Sequence, residues 1–225
     1  STQGFSIKLA GGETEDVGDI CRTLEVGVSL FARMKRSQVI DASRVQKGDV
    51  IIGLASYGQA SYEDVYNSGI SSNGLTLARH GTLAHKYYAK YPECYDPGID
   101  EALVFHGKHD LLENLPGTDL TIGEAILSPT RTYSPILVKI LKQYHSQIHG
   151  IYNNTGGGQT KCLNFGHKLR YVKDNMFEIP PVFKMIQASS GVTWEEMHQV
   201  FNMGHRLEII VPKEQSQNII DISNS

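Results

Sequence analysis

At 225 residues and 24.9 kDa, the chain is long enough for one large domain, or for one domain and part of another. Apolar residues at 40% and charged residues at 20% exclude the disordered and fibrous classes, and a net charge of −3 argues against a general nucleic-acid binder. No apolar run approaches the roughly 20 residues of a membrane-spanning helix. Residues 1–4 do not read as the start of a signal peptide, and Cys21, Cys94 and Cys162 lie too far apart for a disulfide framework or a zinc site, so a cytoplasmic protein is expected.

In chain order, residues 5–10 and 23–31 alternate apolar and polar side chains like strands, with the acidic turn 11–16 between them. That turn reads as solvated, or as a place where carboxylates hold Mg²⁺. Residues 50–54 form a buried strand, and 56–68 a polar surface loop. Asn73 and Gly74 open a helix whose apolar face is Leu75, Leu77, Ala78 and Leu83. Residues 91–117 read as irregular.

A second helix follows, with Ser134 as cap, Pro135 in its first turn and Ile136, Leu137, Ile140, Leu141 and Tyr144 facing a sheet. Strands are expected over 148–154, 169–172 and 208–211. One helix begins at Pro180 and Pro181 and runs to Ala188, a capping box from Thr193 to Glu196 starts another with Trp194 in the core, and 213–225 is weakly helical. This rough alternation implies an α/β fold with a mixed sheet packed against helices. The opening strands and the uncapped end read as a fragment cut at both ends.

Three polar, glycine-containing segments stand where a β-like run ends or a helix-like run begins: Ser71, Ser72, Asn73 and Gly74; Thr155, Gly156, Gly157 and Gly158; Phe201, Asn202, Met203 and Gly204. Free backbone N–H groups at such junctions can hold a phosphate without a lysine, and glycine lets the backbone come close. Each alone is as well explained by turn geometry. No Gly-Lys-Ser/Thr follows the second segment, so it is not a Walker A loop.

Together with Gly11 to Thr14, Gly48 to Ser56, Leu77, Arg79, Pro129 to Arg131 and Pro181 to Phe183, these segments resemble the aminoimidazole ribonucleotide synthetase family, the phosphoribosylformylglycinamidine cyclo-ligases of purine biosynthesis. The resemblance implies an N-terminal domain that pairs in a homodimer and carries most of an ATP and Mg²⁺ site, and a C-terminal α/β domain. On that comparison residues 1–40 are the end of the first domain and 41–225 most of the second. The implied reaction is ATP-dependent closure of the imidazole ring of formylglycinamidine ribonucleotide: the formamide oxygen is phosphorylated, and the amidine nitrogen displaces phosphate. The fragment alone is expected to be inactive.

The resemblance assigns Ser72, Asn73, Gly74, Thr155, Gly156, Gly157, Gly158 and Asn202 to the substrate's phosphate and its surroundings, and Gly12, Glu13 and Thr14 to ATP and Mg²⁺. The partners it implies are the ribonucleotide, ATP and a second copy of the chain, with no nucleic acid and no membrane. Ser71 and Asn153 stand where family members carry histidine, so no catalytic acid or base is assigned. Lys161 and Arg206 read equally as phosphate contacts or as solvated charge. Residues 59–68 look like an insertion without function. Alternatives are another ATP-using relative of the fold, of the formylglycinamidine ribonucleotide synthetase, selenophosphate synthetase or hydrogenase maturation type, or a non-catalytic homologue that binds nucleotide or a partner.

Overall fold

The computed structural model describes residues 6–14, 21 and 25–224. A sheet of three strands, β1 (Asp49–Ala55), β2 (Gly150–Asn153) and β3 (His205–Pro212), is ordered β1-β3-β2. The helices are α1 (Leu75–Thr82), α2 (Lys86–Lys90), α3 (Ile122–Leu127), α4 (Ser134–Tyr144), α5 (Pro181–Ser190), α6 (Trp194–Val200) and α7 (Ser216–Ser223). The α/β class is as expected. Both strand pairings are antiparallel, and parallel pairing among the described residues is confined to isolated bridges from Leu83 to His109 and from Ala84 to Gly107.

Period-two alternation decides what each face of the sheet meets. Ile52, Leu54, Leu207, Ile209 and Val211 pack against Ile136, Leu137, Ile140 and Leu141 of α4 and against Ile219 of α7. On the opposite face Ile51, Ile210 and Tyr152 meet Cys162 and Tyr171. As the middle strand, β3 is covered on both sides, and every residue from His205 to Val211 is buried. A second core, with Ile70, Phe105, Leu115, Ile122, Phe183, Ile186 and Phe201, gathers α1, α3, α5 and α6.

The structure corrects several expectations. The described parts of the two opening strands, 6–10 and 25–31, form no ladder, and Val26, Val28 and Leu30 are exposed. Alternation makes a strand only where a neighbour takes its hydrogen bonds, and none of the described strands lies beside them. Residues 5, 15–16 and 23–24 of those expectations lie outside the described residues. Residues 169–172 are not a strand either: Tyr171 donates its hydroxyl hydrogen to the Phe165 carbonyl, and the segment folds across the sheet. Ser134 lies inside the first turn of α4 rather than capping it. A reciprocal capping box sits at Thr121 and Glu124, heading α3. Thr193 does cap α6, but Trp194 is 42% exposed because the buried side of that short helix is Met197.

The loop at 56–68 is fastened down. Arg131 donates from Nε and Nη2 to the Glu63 carboxylate at 2.8 and 2.7 Å, and to the carbonyls of Ala55 and Gly58 at 2.9 Å each. Its side chain is 7% exposed, so the guanidinium depends on these four bonds. Arg131→Met should therefore lower stability by about 3 kcal/mol or more, read as a drop in the urea midpoint. Lys86→Met, which breaks the exposed pair with Asp110, should leave the midpoint in place.

Candidate functional site

The three glycine segments meet at Phe201. Gly74 caps α1 with φ +72, and a Cβ there would stand 2.3 Å from the Phe201 ring. Gly158 has φ +48, and its Cβ would lie 2.5 Å from the carbonyl oxygens of both His198 and Phe201. Backbone cannot yield as a flexible side chain can, so glycine is required at 158.

Asn202 fixes this junction from within. Its Oδ1 accepts from Ser56 Oγ at 2.8 Å and from the Gly204 amide at 2.9 Å, while Nδ2 donates to the Gly69 carbonyl at 2.9 Å. With both ends of the amide engaged and the residue buried, Asn202 clamps loops together. It does not offer a ligand the free donor expected of it.

The outer side of the junction is open. Thr155 Oγ1 donates to Asn73 Oδ1, joining the first two segments. Ser71 and Thr130 hydroxyls are 2.8 Å apart, which adds the Pro129 to Arg131 motif to the same corner. Ser72, Gly156 and Gly157 are exposed, and a Cβ at Gly156 would lie 3.8 Å from Lys161 Nζ. The structure thus brings together Ser72, Asn73, Gly74 and Thr155 to Gly158. Gly12, Glu13 and Thr14 are exposed, with nothing within 4 Å of a Cβ at Gly12. Among the described residues no group of three His, Cys, Asp or Glu side chains is placed to hold a metal.

Arg206 supplies the charge at this corner, and a β-bulge puts it there. Ala55 pairs with His205 and Leu54 with Leu207, so β3 carries one residue more than β1 at this point and Arg206 is the extra one. It is 3% exposed; its Nη2 is 3.3 Å from Ser72 Oγ, whereas Nε and Nη1 have no partner. Burial pushes its pKa down, with Tyr133 acting in the opposite sense. A guanidinium buried with two donor nitrogens unused is costly unless an anion completes it. Of the two readings of Arg206 from sequence, solvated charge is excluded.

Sequence reasoning misses a second polar cluster on β3. Lys173 Nζ contacts Glu208 Oε1 at 2.6 Å and donates to the Gln159 carbonyl at 2.7 Å and its Oε1 at 3.0 Å. Gln159 donates onward to the carbonyls of Asn202 and His205. The signal that could have found it is Glu208 itself, a charge inside the apolar run from Leu207 to Val211.

The chain is 34% identical over 219 residues to a phosphoribosylformylglycinamidine cyclo-ligase of Methanococcus vannielii, a match covering 97% of this chain and 53% of the relative. It is homologous to these cyclo-ligases. Proteins of that name from Methanopyrus kandleri and Methanocaldococcus jannaschii are 32% and 31% identical, over 95% and 97% of this chain and 52% and 53% of theirs. The chain therefore spans about half the length of the curated relatives it matches. No protein-family profile matches it.

His205 ties this site to pH. Burial, and secondarily the charge of Lys173, lowers its pKa from 6.5 to about 4. Between these values the unfolded chain binds a proton that the folded one refuses, so the contribution is complete above pH 6.5 and is lost as pH falls through 4. His205→Asn should remove up to about 3 kcal/mol of the acid-side loss, measured as the difference in urea stability between about pH 7 and about pH 4.5 for variant and wild type.

Proposed function

We propose that the chain forms the ribonucleotide-binding part of a cyclo-ligase that closes the imidazole ring of formylglycinamidine ribonucleotide in purine biosynthesis, using ATP and Mg²⁺ and releasing ADP and phosphate. The observation that carries this reading is Arg206: a buried guanidinium with unused donors, held under Ser72 at the corner where the three glycine segments of the family resemblance meet. A phosphate monoester seated over Ser72, Asn73 and Thr155 to Gly157 would complete that guanidinium, with Lys161 at the rim.

Each residue then has a physical role. Gly156 and Gly157 turn their backbone with positive φ, as a close approach to phosphate demands, and Thr155, held by Asn73, sets the start of that turn. Arg206 neutralises the anion from below. Fixing one end of the substrate limits where its other end reaches, which is how binding far from the reacting atoms assists a ring closure. Ser71 and Asn153 bind and orient but exchange no proton near neutral pH. The reading puts the ATP and Mg²⁺ site in the part of the relatives' length that this chain does not span, with residues 1–40 closing that domain, pairing as a homodimer, cytoplasmic location and no turnover by the chain alone.

A second reading, a homologue that binds nucleotide or a partner without catalysis, is favoured by Ser71 and Asn153 standing where histidines are expected. The two separate in one assay of the longer protein that contains this chain: phosphate release from ATP, dependent on formylglycinamidine ribonucleotide. Turnover is expected, and its absence leaves the binding reading. In the active protein Arg206→Met should raise KM for the ribonucleotide roughly 30- to 100-fold, in keeping with about 2 to 3 kcal/mol for lost charge-assisted bonds, and change kcat far less. An unchanged KM would remove Arg206 from the site.

A further inference from the structure

The two residues that flank the Thr155 to Gly158 turn are both tied to the peptide group in front of Arg206. The His205 carbonyl accepts from Asn154 Nδ2 and from Gln159 Nε2, at 3.0 Å each. Asn154 also donates its backbone N–H to the Arg206 carbonyl at 2.7 Å, and Gln159 Nε2 donates to the Asn202 carbonyl as well. Both Asn154 and Gln159 are buried. The turn that would cradle a phosphate and the guanidinium that would neutralise it are therefore joined by side-chain amides, one at each end of the turn.

Gln159 is held in its turn by Lys173. The segment from Lys168 to Met176 walls a cleft of about 650 Å³ with β1 and β3, and Gln159, Lys173, His205 and Glu208 all line it. Lys173 Nζ lies 3.0 Å from Gln159 Oε1, 2.7 Å from the Gln159 carbonyl and 2.6 Å from Glu208 Oε1. An ammonium carries three N–H groups, and these three acceptors take them all. Lys173 has no donor to spare for a substrate. With Oε1 on Lys173 and Nε2 on two carbonyls, the Gln159 amide cannot turn without losing bonds at both ends.

On the phosphate reading of this corner, on which the inference rests, we propose that Lys173 is a positioning residue for the ribonucleotide. It acts through Gln159, which fixes the Gly156 and Gly157 turn relative to Arg206, and it does not touch the substrate. Donors aimed in advance need no ordering when the anion arrives, so the network strengthens binding without adding a contact. The rival role for Lys173 is that of a counter-charge to the buried Glu208 and nothing more. A counter-charge requires Glu208 alone, whereas a positioning residue requires Gln159.

Calorimetric titration of the longer protein that contains this chain with formylglycinamidine ribonucleotide separates these roles, and needs no turnover. Gln159→Met is expected to fold, because the Asn202 carbonyl keeps the His205 amide, the His205 carbonyl keeps Asn154 and Lys173 keeps Glu208. It should weaken binding roughly tenfold or more. Lys173→Met combined with Glu208→Met removes the ion pair whole, so the urea midpoint should stay near that of wild type while binding weakens by a similar factor. Adding Gln159→Met to that pair should cost less than about twofold further, since all three changes act through one amide. Lys173→Arg keeps a charge beside Glu208, yet its planar fork cannot serve three acceptors gathered around one point, so it should weaken binding at least about threefold; it decides the matter if the paired variant does not fold. The proposal is overturned if Gln159→Met binds like wild type, if the paired variant regains midpoint and affinity together, if the losses multiply, or if Lys173→Arg binds like wild type. Arg206→Met is the control for the phosphate reading: wild-type binding there overturns that reading and this proposal with it, whereas weakened binding there beside wild-type binding in Gln159→Met overturns this proposal alone.

Discussion

One extra residue in the middle strand organises the polar chemistry of this chain. A regular β3 would alternate strictly and place Arg206 and Glu208 on the same face. Because β3 carries one residue more than β1 between His205 and Leu207, Arg206 reaches Ser72 while His205 and Glu208 line the cleft beneath residues 168–176. Gly53 makes this possible from the partner strand, since a Cβ there would lie 2.4 Å from the His205 ring. The strand is covered on both faces, so these polar groups are all buried and each requires a partner. Lys173 meets half of Glu208, Phe177 meets one nitrogen of His205, and Ser72 meets one nitrogen of Arg206.

The same junction explains why three separated glycine segments are needed. Asn202 can clamp the loops at Ser56 and Gly69 only if Phe201 is wedged against α1 and against the turn after β2. Gly74 and Gly158 make room for that wedge. Their conformational cost is a local loss that offsets a gain elsewhere, namely burial of Phe201 with Phe183 at 5.5 Å between ring centroids. Glycines that look like phosphate-binding turns in the sequence thus divide into two kinds. Gly74 and Gly158 serve packing, whereas Gly156 and Gly157 are open to solvent.

What is legible in the sequence is what local pattern determines. The apolar stripe of α4, the run of β1, the paired prolines heading α5 and the Thr193 cap each state their structure within one or two turns. The failures share a cause. Alternation at 25–31 and 169–172 records side-chain preference but not whether a neighbouring strand is present, and pairing is a property of the whole fold. Trp194 defeats the pattern because a seven-residue helix buries too narrow a stripe to cover it.

For the candidate site, motif spacing identifies which segments come together but not the energetic state of any charge among them. Arg206 reads as solvated or bound with equal weight, since nothing local says that its strand is the central one. Asn202 reads as a ligand contact because its type suits one, yet its amide is consumed by Ser56 and by backbone. Residue type sets what a side chain can do, and burial sets whether it must do something. A solvated arginine needs no partner, whereas Arg206 with Nε and Nη1 unbonded at 3% exposure carries an unmet demand, and the exposed Ser72 lies at its Nη2. The strongest pointer to a ligand in this chain is therefore an unmet electrostatic demand inside it rather than its glycine-rich turns.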